Sequence, residues 1–142
     1  MLDEMLALIR EHNLAVLATS GPEGPHASLM TYLSAEQGGV IYLITLAGTS
    51  KFANLGSEPR VSLLIDDRDQ AGGQGIRALT VEGEAEVVDE GGQAQVLKDR
   101  FAAELPHLAD LAQDPECRVL AIRVRSLLLL DGPTQATYLE LG

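Results

Sequence analysis

The chain has 142 residues, 46% of them hydrophobic, enough for one compact domain with a core of its own. Ten Lys and Arg stand against 21 Asp and Glu, and a formal net charge of −11 repels nucleic-acid phosphates and anionic membranes. A lone cysteine, Cys117, excludes an internal disulfide framework, Asp3 and Glu4 precede any basic residue, and no apolar run is long enough to span a bilayer, so a soluble cytoplasmic protein is expected.

Leu2, Met5, Leu6 and Ile9 recur at helical spacing and predict an amphipathic opening helix that ends at His12-Asn13. Leu14 to Thr19 is apolar and strand-like. The Ser20-Gly21-Pro22-Glu23-Gly24-Pro25 cluster predicts a turn, and an extended run resumes from His26 to Ser34. Gly38-Gly39 breaks the chain before Val40 to Leu46, a nearly unbroken apolar run suited to a strand covered on both faces.

Next comes a Gly48-Thr49-Ser50-Lys51 corner. It predicts a short helix to about Leu55 with Thr49 as N-cap, stopped by Pro59, which opens a strand through Ile65. The corner sets hydroxyls, free backbone N–H groups and one lysine at a helix start, where unpaired donors and the positive dipole end suit a phosphate. In so acidic a chain such a cluster stands out. Asp66 to Gln74 reads as a mobile loop. Leu79, Val81, Gly83, Ala85 and Val87 then alternate with Thr80, Glu82, Glu84 and Glu86, predicting a strand with one buried and one wet face.

Asp89 to about Gln113 is helical in character, with Val96, Leu97, Phe101, Leu105, Leu108 and Leu111 as its expected buried side and Pro106 dividing it. Arg118 to Leu130 is the last long strand, with Leu120, Ile122 and Val124 opposite Arg123 and Arg125. Asp131-Gly132-Pro133 turns the chain into a short tail strand over Ala136 to Leu141. The expected fold is mainly β: one domain over 1–142, a split antiparallel barrel of about six to seven strands with peripheral helices.

His12, His26, His107 and Cys117 show no metal-ligand spacing, and no acid–base pair or nucleophile constellation emerges, so no metal site is expected and no catalytic side chain is assigned. Gly72-Gly73-Gln74-Gly75 lacks the strand-to-helix setting of a dinucleotide fingerprint. Arg60 is expected to pair with Glu58 or Asp66.

The order of these elements resembles the pyridoxamine 5′-phosphate oxidase-like superfamily of FMN-binding split β-barrels. Leu14-Ala15-Val16-Leu17-Ala18-Thr19, the Gly-Pro turn, the strand containing Ser28, the apolar strand ending near Ile44-Thr45, the Ser50-Lys51 helix start, Pro59-Arg60-Val61-Ser62-Leu63-Leu64 and Glu82-Gly83-Glu84-Ala85-Glu86 carry the resemblance, which covers residues 1–88 well and the rest in outline. It implies FMN as cofactor. The strand with Ser28, Leu29, Met30 and Thr31 would run along the flavin. Ile44 and Thr45 would touch its ring or ribityl chain, and Thr49, Ser50 and above all Lys51 would hold its phosphate. Arg77 is a weaker candidate for a phosphate or ring-edge contact.

The resemblance also implies a homodimer with the cofactor at the interface and a flavin-dependent oxidoreductase acting on a small-molecule substrate or reduced nicotinamide. The flavin itself would carry the redox chemistry. The oxidase has arginine where this chain has Ser28 and Ser50, and lysine at Leu33. Its substrate-binding arginine and tyrosine and its C-terminal Trp and Arg have no counterpart, so vitamin B6 oxidation does not follow. Alternatives are a haem-utilisation or haem-binding protein of the same barrel, a non-catalytic FMN carrier and a deazaflavin enzyme. The last fits poorly with the acidic surface.

Overall fold

The computed structural model describes residues 1–68, 75–88 and 92–141. In chain order the elements are α1 (Leu2–Glu11), β1 (Leu14–Gly21), β2 (Gly24–Thr31), β3 (Leu33–Ser34), β4 (Val40–Leu46), α2 (Ser50–Ser57), β5 (Arg60–Asp66), β6 (Arg77–Val87), α3 (Gly92–Glu104), a 3-10 turn (Pro106–Leu108), α4 (Ala109–Gln113), β7 (Cys117–Asp131) and β8 (Gln135–Glu140). The strands form one antiparallel sheet in the order β2-β1-β5-β6-β7-β4-β3, with β8 added to the far half of β7. This is a split β-barrel. It has 8 strands because Leu33–Ser34 separates from β2 as a short strand of its own.

Sequence chemistry accounts for most of these elements. Asp3 and Glu4 in the first turn of α1 and Arg10 in its last complement the helix dipole. Its buried side is Met5, Leu8 and Ile9, whereas Leu2, expected inside, is 39% exposed at the helix start. β1 and β2 pair from Leu14↔Thr31 to Gly21↔Gly24, leaving Pro22-Glu23 as a two-residue turn with Gly24 at φ 107°. In α3 the buried phase is Ala94, Leu97 and Phe101, and Val96, expected inside, is 61% exposed. Ala94 and Leu97 lie one turn apart and Phe101 one turn further; Val96 falls off that stripe. Pro106 breaks the helical run as expected. Of the loop expected from Asp66 to Gln74, Asp66 instead ends β5 and residues 69–74 fall outside the described residues, as does the Asp89 start of the helical region.

The sheet curls around a core that includes Leu17, Ile41, Leu43, Leu63, Leu79, Val81, Ile122 and Leu127. A second, smaller core holds α3 and α4 on the outside of β4 and the start of β7, around Ile44, Phe101, Cys117 and Val119. β7 serves both halves of the barrel, pairing with β4 through Cys117–Arg123 and with β8 through Ser126–Asp131. Between the two stretches the register against β6 slips, since Glu82 faces Ser126 but Gly83 faces Val124, leaving Arg125 as a bulge residue. The slip inverts side-chain parity. Leu120, Ile122 and Val124 point inward before it, and Leu127 and Leu129 after it.

Gly83 is required at the bulge. A Cβ there would lie 2.5 Å from the Arg123 carbonyl oxygen and 2.8 Å from Ile122. Gly83→Ala must displace backbone of the neighbouring strand, and overpacking of this kind costs about 1–3 kcal/mol. The expected result is a lower urea midpoint with an unchanged slope; an unshifted midpoint would mean the bulge relaxes freely.

Among the described residues no helix is long and apolar enough to cross a membrane.

Candidate cofactor site

Among the described residues β2 has one unpaired edge, and beyond the short β3 pairing the end of β4 is likewise unpaired on that side. α2 contacts β1, β4 and β6, and its Phe52 and Leu55 pack against the barrel core. Its start is fixed by the expected cap. Thr49 has extended backbone, its Oγ1 accepts from the Phe52 N–H at 3.2 Å, and its own hydroxyl donates to the Leu46 carbonyl at 2.9 Å. Since that proton is committed to Leu46, the 3.3 Å contact between the Thr45 and Thr49 hydroxyls has Thr45 as donor. The Thr49 side chain is therefore spent on the helix start and offers no further proton to a ligand.

Lys51 projects from the first turn of α2 to β2, where its Nζ lies 3.0 Å from Met30 Sδ. Among the described residues no carboxylate pairs with it, and a thioether is a weak acceptor for an ammonium. Partial burial lowers the pKa of this lysine from its ordinary 10.5. The result is a half-buried cation in need of an anion, in a chain of net charge −11.

Alternation along β2 sorts the other candidates. Opposed residues of an antiparallel pair share a face, so Met30 and Ser28, opposite the buried Ala15 and Leu17, point to the Lys51 side. Leu29 and Thr31 point the other way. Leu29 is 66% exposed on the outer sheet face, and Thr31 Oγ1 lies 3.5 Å from His107 Nε2 at the 3-10 turn. Thr45 is buried at the same corner as Lys51, but the Ile44 side chain lies in the second core beneath α3. Ser50, the first residue of α2, is exposed.

Arg77 stands apart. Its backbone N–H and Nε grip the Asp67 carboxylate at 2.7 and 2.9 Å, and a second nitrogen reaches Glu4 at 3.2 Å. These carboxylates already neutralise its guanidinium within its own chain. Arg60 pairs with Glu58 at 2.6 Å, while Arg123 and Arg125 pair with Glu86 and Glu84 on the wet face of β6. The site thus brings together Met30, Thr45, Thr49 and Lys51, with Ser28 on the same face and Ser50 beside them.

The reading from sequence missed a row on the outer face. Register aligns Leu29, Val16, Leu64, Thr80, Leu128 and Tyr138 across β2, β1, β5, β6, β7 and β8. Leu29, Leu64 and Tyr138 are 66%, 38% and 56% exposed. Only the alternation in β5 hinted at it, since Leu64 sits out of phase with the buried Val61, Leu63 and Ile65.

A split barrel with a cationic helix start against its β2 edge strand defines the class. The family model of pyridoxamine 5′-phosphate oxidase matches residues 1–131, and the chain belongs to that family. General Stress Protein 26 from Bacillus anthracis superposes with a TM-score of 0.75 at 22% identity, over 99% of this chain and 98% of that one. A FAD-binding protein from Mesorhizobium loti gives 0.73 at 17% identity, over 89% and 91%. A heme binding protein from Mycobacterium smegmatis gives 0.80 at 22% identity, over 98% of this chain but only 57% of that one. No curated protein matches the chain by sequence.

Proposed function

We propose that this protein is an FMN-binding oxidoreductase that acts as a homodimer on a small molecule. The observation that carries the reading is Lys51, a partly buried ammonium whose nearest partner is a thioether at a helix N-terminus. A phosphate monoester meets that need, accepting from Nζ and from the first backbone N–H groups of α2. Ser28 and Met30 then border the phosphate and ribityl end, and the β2 backbone and buried Thr45 lie next along it. Bound flavin supplies hydride or electron transfer. The protein contributes orientation, charge at the phosphate and exclusion of water.

The dimer rests on the outer row. A row that is apolar but for Thr80 suits a second copy of the same face, and such an isologous contact is the commonest way to close a pair of chains. Tyr138 at the end of the row offers an anchor of the kind enriched in interfaces.

The visible absorption spectrum of the purified protein, with mass spectrometry of what heat releases, tests the cofactor. Flavin bands and released FMN are expected. A Soret band on haem addition, with no affinity for FMN, would replace this reading with haem handling. Turnover with reduced nicotinamide no faster than that of free flavin would reduce the protein to a carrier.

The lowered pKa of Lys51 sets a pH dependence. Between its folded value and the ordinary 10.5 the unfolded chain binds more protons, so this group's contribution to stability rises with pH across that window. FMN binding runs the other way, because it needs the charged form. Affinity measured by flavin fluorescence from about pH 7 to 10 should fall earlier than a free lysine would titrate. A flat profile would take Lys51 out of the phosphate site.

A further inference from the structure

The sulfur of this chain resides in three methionines, Met1, Met5 and Met30, and in Cys117. Met5 and Cys117 are fully buried, and burial pushes the Cys117 thiol above its ordinary pKa, away from the reactive thiolate. Met1 is 58% exposed at the chain start. Met30 differs from all of these. It packs against the core from an edge strand, is only partly buried, and its Sδ lies 3.0 Å from Lys51 Nζ in a contact that is itself only partly buried. An oxidisable thioether thus touches the cation that is offered to the phosphate.

We infer that Met30 is a modification site, oxidised by hydrogen peroxide to the sulfoxide, and that the sulfoxide oxygen then engages Lys51 in competition with a phosphate. A sulfur lone pair attacks one peroxide oxygen, and the S–O bond forms as the O–O bond breaks. The proton of the transferred hydroxyl passes to the leaving hydroxide, which departs as water. The thioether loses two electrons and the peroxide gains them. The product replaces a weak acceptor by a polar S=O group. Rotation about the terminal bonds of this flexible side chain brings the new oxygen to Nζ, whichever lone pair reacted. The ammonium that the thioether leaves free for an anion is then held within the chain. Reduction of the sulfoxide reverses the change. The consequence for FMN rests on the phosphate reading of Lys51; the link between sulfoxide and lysine does not.

The test treats the full-length, flavin-free protein with hydrogen peroxide and locates the added oxygen by mass spectrometry of its peptides. Sulfoxide is expected at Met1 and Met30 and absent from Met5. The Lys51 ammonium, followed by NMR against pH, should titrate higher after oxidation, because the new acceptor favours the charged form. FMN affinity should fall about tenfold, the lower end for a hydrogen bond that involves a charge. Methionine sulfoxide reductase should restore both values. Met30→Leu should show neither response, whatever its starting affinity. Should oxidation unfold the chain, Met30→Gln decides, since its amide oxygen sets a neutral acceptor within reach of Lys51 and should reproduce the raised titration. Met30 left intact while Met1 reacts overturns the site. A Lys51 titration unmoved by the sulfoxide or by the Gln variant overturns the link, and unchanged FMN affinity overturns its consequence. Failure of FMN to bind even the reduced protein would remove the flavin reading, and the Lys51 titration still decides the link.

Discussion

Lys51→Ala is expected to weaken FMN binding by about 10- to 150-fold, because a hydrogen bond to a charged group contributes about 1.5–3 kcal/mol. The loss should be large because little else can compensate. The Thr49 hydroxyl is committed to Leu46 and to the Phe52 N–H, and Arg77 is held by Asp67 and Glu4. What remains is the end of the helix dipole and backbone N–H groups, worth about 0.3–1 kcal/mol at an exposed start. The fold should survive, since removing a half-buried cation without an ion-pair partner leaves no opposite charge stranded. Fluorescence titration of FMN, with a urea melt of the same variant, checks both halves. Unchanged affinity in a folded variant would move the phosphate elsewhere.

Leu64→Asp should convert the proposed homodimer to monomer. Leu64 lies near the middle of the outer row, between Val16 and Thr80, and is 38% exposed in the single chain, so an aspartate there stays hydrated in the monomer. Sealed against the apolar face of a second copy, the unpaired carboxylate costs several kcal/mol, and symmetry imposes the cost twice. Association should fall by about a hundredfold or more, read by sedimentation across a dilution series. Flavin should be lost as the monomer appears if the cofactor bridges the subunits. A variant that sediments as a dimer would put the interface on another face, and a monomer that keeps its flavin would confine the cofactor to one chain.

Much of the architecture was legible from residue types. The strict alternation from Leu79 to Val87 announced β6, the Gly-Pro cluster at 20–25 announced the β1–β2 turn, and Thr49 and Pro59 bounded α2. These signals are local, so a few neighbouring residues suffice to decode them. The candidate site was legible in part. Lys51 and Thr49 were found from the helix start, but the donor capacity of Thr49 could not be judged without knowing that Leu46 O takes its proton. Arg77 looked available until Asp67, ten residues earlier, and Glu4, at the chain start, were seen to hold it.

Sequence alone determined the family, most of the order of strands and helices, the single cation at the α2 start and the net negative charge of the chain, because each is written in residue type and near-neighbour spacing. Tertiary structure decided which of the leucines from Leu127 to Leu130 face the core. The Arg125 bulge shifts parity by one residue, and a run of identical side chains carries no mark of phase. It also decided that Lys51 meets Met30, 21 residues earlier, and that residues from six strands line up as one row, apolar but for Thr80. Contacts of that range depend on register and curl, which arise only when the whole sheet closes around its core.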